Sequence, residues 1–556
     1  LFRSPLALSL LITLTNAAKP VLVDDTAYLA FARHIAADPL DPYGFTFFWY
    51  VEPEPAFEIL APPVVPYWLA LGMALVGESI PLLKLWLFPL VWLLVWAVDD
   101  LLRRSAPENH YAAAIALSPA VLPCVNFMLD VPALALGLSS VALFVRACDR
   151  ESWRVALAAG LLAALAMQAK YTMLAIPPVV LWYGLVKERI RFAAGAAIVA
   201  AGAFAGWELL LVEHYGRSHF VHHATRETAT ERPEGDRLAE ILDKKADLAP
   251  GLAGHFGCLG IAAGLVAAGA IGVSRRWLAV AVGVWAVGFV LIAICPGRFS
   301  AWWVFIYWQL YGLLFLGAVA ACAILLVFRC RKGLAIRANA DSLFLAGWLA
   351  IEIAAYFVLT PFPAARRVIA LSIVGMLIAA RALSRVERIQ PGRRPGVWPI
   401  AAAIGAGVAV AAIDTLDAFP EKYCAERAAA IVADRPAGST VWYMGHWGFQ
   451  YYSERAGMRA LVPGKSVFRA GDYLVLPVHP DPLVFYRPHF GTDPIALRDG
   501  FAELVEVVEW EDAVFAQTVP NFYGGINPVM GRDRPRLRVE VHRVLREWTP
   551  ETAQRR

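Results

Sequence analysis

The chain has 556 residues, of which 59% are hydrophobic and only 17% charged, and its formal net charge is +4. A soluble globular protein carries roughly 25% charged residues, so the composition excludes a single soluble domain and assigns much of the surface to lipid. The positive residues sit in short loops between apolar runs. That is a membrane-orientation signal rather than a nucleic-acid footprint, and no nucleic-acid partner is expected.

Apolar runs that approach the ~20 residues needed to cross ~30 Å of hydrocarbon lie at about 5–22, 81–101, 110–128, 131–147, 155–169, 171–186, 192–212, 251–273, 277–295, 303–328, 342–360, 368–384 and 397–414. The first run also fits a cleavable signal peptide, with small residues at Ala17–Ala18. Thirteen spans put every basic loop on one face: Arg103–Arg104; Arg146, Arg150 and Arg154; Lys187, Arg189 and Arg191; Arg275–Arg276; Arg329, Arg331, Lys332 and Arg337; and Arg381, Arg385, Arg388, Arg393 and Arg394. The positive-inside rule makes that face cytoplasmic, with the N-terminus inside and the C-terminus outside.

This alternation depends on residues 64–79 (VVPYWLALGMALVGES), which follow Pro62 and Pro63 and are short for a span. They are expected to lie in the interface or to dip partly into the bilayer. Runs 155–169 and 171–186 are also short, with basic residues on both flanks. The pair must enter and return, leaving Gln168, Lys170 and Tyr171 near an outer turn.

Three outer segments are long: 23–80, 213–250 and the tail 415–556. The tail is long enough for a small domain. Strand-like runs (Thr440–Tyr443, Tyr473–Val478, Glu503–Val508, Arg536–Val544) and a helix-like Ala425–Ala433 predict an α/β domain outside the membrane. The expected division is a membrane domain over 1–414, with outer loops at 23–80 and 213–250, and an extracytoplasmic domain over 415–556.

Several charged residues stand out of place. Asp24 and Asp25, in VDDTAYLAFARHI, follow the first span. They fit either a helix N-terminal turn or a functional pair. Asp130, in NFMLDVPALAL, fits either a helix start before Pro132 or a functional acid on the same outer face. Lys170, in LAMQAKYTMLAIPP, either snorkels or meets an anion. Arg366 and Arg367, in TPFPAARRVIALSI, are cations on the face that the positive-inside rule depletes. They fit an anionic ligand such as a lipid phosphate, headgroup contact, or an ion pair with an outer carboxylate.

His214, His219, His222 and His223 cluster in EHYGRSHFVHHATRE, a spacing from which a divalent metal site is a weak alternative to a solvated loop. The seven cysteines show no CxxC or Cys/His zinc spacing. Glu52, Glu54 and Glu58 add acids to the first outer loop. In the tail, VWYMGHWGFQYYSERAG suits a small-domain core better than a sugar-stacking surface.

VDDTAYLAFARHI resembles the Asp-Glu-x-x-Tyr motif of the first outer loop in PMT-like glycosyltransferases of the GT-C fold. That superfamily includes protein O-mannosyltransferases and bacterial lipid A aminoarabinose transferases. APPVVPYWLALGMALVGES resembles its Pro-Pro juxtamembrane helix, LDVPALAL its second outer Asp motif, MQAKYTMLAIPP its Lys-Tyr-Thr segment and AARRVIALSI its late Arg-Tyr motif. The order is right over about residues 5–414. Asp25 departs from the usual Glu, Ala61 from a His and Arg367 from a Tyr.

The resemblance implies an all-α polytopic membrane domain of GT-C type, a polyprenyl-phosphate-linked sugar donor and an inverting transfer at the outer face of a prokaryotic plasma (inner) membrane. It implies Asp24 as base, Asp25 and Asp130 as supporting acids, and Lys170, Arg366 and Arg367 as phosphate contacts. Tyr28, Glu54, Glu58 and Tyr171 are then acceptor or loop contacts. No cofactor is certain, membrane lipid is a partner, and the acceptor is left open among protein, lipid and glycan. The alternatives are a transporter or flippase of a lipid-linked substrate, and a non-catalytic assembly or sensor protein.

Overall fold

The computed structural model describes residues 4–50, 52–106, 111–226, 245–295, 301–328, 336–390, 397–462, 465–477, 500–519, 524–532 and 536–548. The middle of the 213–250 loop and the basic residues Arg329, Arg331, Lys332, Arg393 and Arg394 lie outside them.

Eight helices among the described residues are long and apolar enough to cross a bilayer. They are Ile80–Ser105, Asp130–Arg150, Ile190–Tyr215, Arg275–Ile294, Ala301–Phe328, Asn339–Leu359, Ile369–Ile389 and Trp398–Ile431. The helix pair Leu248–Leu259 and Ile261–Ile271, bent by 82°, has the length and apolarity of a broken span or a re-entrant loop. Shorter apolar helices cover Pro5–Ala17, Val64–Val76, Trp153–Ala169 and Tyr171–Val186. The chain is a multi-pass membrane protein, and the expected count of thirteen spans is not confirmed.

The clearest departure is the run 110–128. Its described part forms only the six-residue helix Tyr111–Ala116, then turns and a 3-10 turn at Leu122–Cys124. Pro119 and Pro123 each remove an amide donor and clash with a preceding turn. Irregular backbone at membrane depth is tolerated only inside protein, and residues 111–128 are buried throughout. Gly407, on helix Trp398–Ile431, packs against this segment so closely that a Cβ would fall 1.9 Å from the Leu117 carbonyl oxygen.

Helix Trp398–Ile431 has 34 residues and at 1.5 Å per residue spans ~50 Å, well beyond the ~30 Å of hydrocarbon. It therefore carries the chain out of the membrane domain. Residue 415, where the tail is expected to begin, falls inside it, as does most of the helix-like stretch 425–433.

Beyond it stands a five-stranded mixed sheet. Its strands are β3 (Val441–Tyr443), β4 (Arg459–Ala460), β5 (Tyr473–Pro477), β6 (Ala502–Trp510) and β9 (Leu537–Val544), in the order β4-β3-β5-β9-β6, while β7 (Ala516–Gln517) and β8 (Met530–Gly531) form a separate antiparallel pair. β3 runs parallel to β4 and β5, while β9 is antiparallel to β5 and β6. Helix Trp447–Arg455 connects β3 to β4. The four strand-like runs of the tail thus become β3, β5, β6 and β9, and the expected helical membrane domain with a C-terminal α/β domain is the observed architecture. A hairpin of β1 (Thr46–Trp49) and β2 (Glu52–Pro55) lies within the segment 23–80.

Buried charges hold the two parts together. Lys19 pairs with Asp414 at 2.7 Å, both side chains fully buried, and the Thr518 hydroxyl donates to the other Asp414 oxygen at 3.0 Å. Arg536 joins Asp417 on the long helix to Asp512 of the C-terminal domain.

Candidate active site

Helix Asp25–Ala37 begins directly after Asp24, and the Asp24 side chain makes no capping hydrogen bond. Val23, immediately before it, is a β-branched residue at φ 46°. Such a left-handed residue costs of order 1–3 kcal/mol and persists only where surrounding structure enforces it. The carboxylate that this turn presents accepts a hydrogen bond from Arg366 Nη1 at 3.1 Å.

Arg366 comes from the 3-10 turn Ala365–Arg367 that leads into helix Ile369–Ile389. The same Nη1 lies 4.0 Å from Asp130 Oδ2. Asp130, first residue of its helix, pairs through Oδ1 with Lys170. Lys170 sits in extended backbone at the break between helix Trp153–Ala169 and the turn Tyr171–Ala175. Four separated segments therefore supply a chain of alternating charge, Asp24–Arg366–Asp130–Lys170. Asp130 lies between two cations that would otherwise repel and keeps them side by side.

A cavity opens beside this chain. Asp130, Lys170, Arg366, Arg367 and Glu352 line it, with the hydroxyl of Thr360. Leu134, Met173 and Leu371 give it an apolar flank. The Arg367 guanidinium lies over the Phe362 ring at 4.1 Å. Three cations and apolar side chains thus line one space, a combination with the chemistry to hold an anionic group that carries a hydrocarbon chain.

Tyr28 is buried one turn along from Asp24, within reach of the charges of Asp24, Arg366 and Asp130. Burial, and then Asp24, push its hydroxyl well above its usual value, so it stays protonated.

The remaining expected site residues lie elsewhere. Asp25 turns away into the protein. It pairs with Lys84 at 3.2 Å with both side chains fully buried, and its Oδ1 has no hydrogen-bond partner. The successive residues Asp24 and Asp25 are rotated by ~100° around the helix, which separates their environments. Tyr171 is hydrogen-bonded to His219 at 2.6 Å and to Glu208 at 3.4 Å. Glu58 accepts from Arg217 at 2.5 Å and meets His222 at 2.8 Å. Glu54 sits on β2 opposite Phe47. Tyr171 and Glu58 thus belong to a clamp between the first outer loop and helices Ile190–Tyr215 and His219–Arg226.

The histidine cluster is part of that clamp. His219 and His223 meet the Ile59 and Phe57 carbonyl oxygens at 3.3 and 3.2 Å. Among the described residues no group of three or more His, Cys, Asp or Glu is placed to hold a metal.

Two residues of this region escape a motif-based reading. Glu352, within span Asn339–Leu359, lines the cavity and accepts from the Trp348 indole at 3.0 Å. Lys84 anchors Asp25. Each is a lone charge in an apolar run, and that rarity is itself the signal that marks it.

An oligosaccharyltransferase from Archaeoglobus fulgidus, in complex with zinc and sulfate, is similar at 15% identity and TM-score 0.47, over 85% of this chain and 68% of that one. ArnT from Cupriavidus metallidurans bound to undecaprenyl phosphate is similar at 15% identity and TM-score 0.40, over 97% of each chain. No curated protein matches the sequence. Residues 61–207 match the family described as dolichyl-phosphate-mannose-protein mannosyltransferase. This stretch holds the Pro-Pro helix, the Asp130 motif and the Lys170 segment. The chain thus resembles the PMT-like membrane glycosyltransferases, and residues 61–207 carry the match.

Proposed function

We propose that this protein is an inverting membrane glycosyltransferase that moves a hexosyl or pentosyl group from a polyprenyl-phosphate donor to an acceptor on the outer face of the membrane. The observation that carries this reading is the convergence of Asp24, Asp130, Lys170 and Arg366 beside one cavity with an apolar flank. These residues come from distant points in the sequence. The family match over residues 61–207 supports it.

In the reaction the Asp24 carboxylate takes the proton of the acceptor hydroxyl. The oxygen bonds to C1 of the sugar as the C1–O bond to phosphate breaks, and its electron pair leaves with the phosphate. Lys170, Arg366 and Arg367 stabilise the charge gathering there, and Asp24 then returns its proton to water. Asp130 positions the cations, Tyr28 borders the base, and Asp25 acts only by anchoring the helix that follows Asp24. Residues 1–414 form the catalytic domain and residues 415–556 an extracytoplasmic domain, in a plasma (inner) membrane with the N-terminus in the cytoplasm.

The test is incubation of purified protein with radiolabelled polyprenyl-phosphate sugars and a membrane extract. Label is expected in an acceptor with wild type and not with Asp24→Asn. Undiminished transfer by the variant would remove Asp24 as base, and no transfer from any donor would remove the transferase reading. Orientation is tested by Lys465→Cys, at a side chain 68% exposed. It should react with an impermeant thiol reagent from outside intact cells, and labelling only after lysis contradicts the topology.

A further inference from the structure

The C-terminal domain reaches back onto the first outer loop through the segment after β3. Thr26 Oγ1 donates to the Trp447 carbonyl at 2.6 Å, and the Val21 amide donates to the Tyr452 hydroxyl at 3.0 Å. The approach is so close that a Cβ on Gly448 would fall 2.3 Å from Glu421 Oε2 and 2.4 Å from the Val21 carbonyl oxygen. This contact brings His446 close enough to Asp24 to feel its charge.

The hydrogen bonds around His446 assign its tautomer. Gln450 Nε2 donates to the Phe48 carbonyl and to Glu454 Oε1, both at 3.0 Å. Those partners only accept, so the amide orientation is set and Gln450 Oε1 must face His446 Nδ1, at 2.8 Å. Nδ1 therefore carries the proton, and Nε2 presents a lone pair. Burial pushes the imidazole down to about 4, against the opposing pull of Gln450 and Asp24, which keeps the ring neutral at neutral pH.

His446 is 5% exposed, and its Nε2 meets no hydrogen-bond partner. The buried indole nitrogen of Trp447 meets none either. A buried polar atom left unpaired costs about 1–3 kcal/mol, and such atoms in a native fold call for an explanation. Here one is an acceptor and the next is a donor, which is the pair that a hydroxyl group satisfies.

Aromatic rings surround them. Trp49 and Tyr50 lie 4.9 and 4.5 Å from the His446 ring. Three of the five described non-glycine residues with positive φ are in this neighbourhood: Val23, Tyr50 and Trp447. For bulky and β-branched residues that backbone is strained. Along the charged chain the order is Lys170, Asp130, Arg366, Asp24 and then His446. Asp24 thus neighbours both Arg366, at 3.1 Å, and His446, and a base between a donor phosphate and an acceptor hydroxyl needs neighbours of both kinds.

We propose that His446 and Trp447, walled by Trp49 and Tyr50, form the acceptor subsite of this centre and hold a hydroxyl-bearing carbohydrate ring beside Asp24. The proposal rests on the transferase reading. The experiment uses full-length protein with a labelled polyprenyl-phosphate sugar, and compares wild type with His446→Phe, His446→Gln and Trp447→Phe. Three quantities are read: polyprenyl-phosphate binding, release of free sugar to water, and transfer to a protease-treated membrane extract.

His446→Phe and Trp447→Phe are expected to keep binding and release, and to lose transfer about ten- to hundredfold, the scale of one buried hydrogen bond to substrate. His446→Gln, which can still offer an acceptor, should recover part of the loss and serves if His446→Phe does not fold. Unchanged transfer in Trp447→Phe and His446→Gln overturns the subsite. A parallel loss of binding or release moves these residues to the donor and also overturns it. Wild-type label that disappears with protease treatment identifies a polypeptide acceptor and overturns the carbohydrate assignment. A wild type inert toward every donor removes the transferase reading first, and the subsite with it.

Discussion

Asp24 and Asp25 adjoin in the chain and occupy two unlike electrostatic regions. Asp25 is sealed. Lys84 is its partner at 3.2 Å, both side chains are fully buried, and the Lys84 ammonium lies 4.2 Å from the Phe127 ring centre. Asp24 instead reaches Arg366, which lines a cavity together with Lys170 and Arg367. The fully buried pairs Asp25–Lys84 and Lys19–Asp414 neutralise themselves, and none of these four residues lines the cavity. The difference teaches that burial and pairing do not mark a site. What sets the Asp24 region apart is several charges from separate segments gathered beside one cavity.

The comparison can be broken at either end. The largest effect is expected for Asp24→Asn, which should lower transfer by about 10²–10⁴ while the protein still binds polyprenyl phosphate. Initial rates with labelled donor, beside a binding isotherm, check this. Arg366→Met should follow, lowering turnover by about 10²–10³ and weakening polyprenyl-phosphate binding, read by the same two measurements. If only stability changes, Arg366 belongs with the sealed pairs.

At the closed end, Lys84→Met leaves a buried carboxylate alone and should cost about 3–5 kcal/mol of stability. Thermal unfolding in detergent reads the loss. The double variant Asp25→Leu/Lys84→Met should regain most of it, and the folded fraction should still turn over. A double variant as unstable as the single one would show that the pair does more than neutralise itself.

The smallest effect concerns the outer-loop clamp. Burial alone would raise the Glu58 carboxyl, but hydrogen bonds from Arg217 and His222 hold it below its usual value. A depressed carboxylate contributes stability above its unfolded value of about 4.3, and the contribution is lost as pH falls through the folded value. Glu58→Gln should therefore lower stability modestly at neutral pH, with the gap to wild type closing and the acid slope flattening below about pH 4.3. Melting temperatures across that window check it, and an unchanged acid slope removes Glu58 as a contributor.

Much of the site was legible because its residues break the rules of their surroundings. Lys170 and Arg366 are cations, and Asp24 and Asp130 acids, at the ends of apolar runs. Their pairing was not legible, because Arg366 and Asp24 are 342 positions apart and no periodicity encodes such a contact. Asp25 reads like Asp24 in sequence, and only the helical rotation between them separates the two. Hydropathy likewise counts apolar residues and not helical turns. The run 110–128 therefore looked like a span although Pro119 and Pro123 break it, and the last helix looked finished at Asp414 although it continues through Pro420. The strands of the tail were legible as strand-like runs. That the segment Gly445–Trp447 lies against the first outer loop was not, since its aromatic residues suit a core equally well.

The most direct test is a structure of the Asp24→Asn protein with polyprenyl phosphate bound. The phosphate should lie among Lys170, Arg366 and Arg367, with its prenyl chain along Leu134 and Leu371. A phosphate bound away from all three cations would contradict the account.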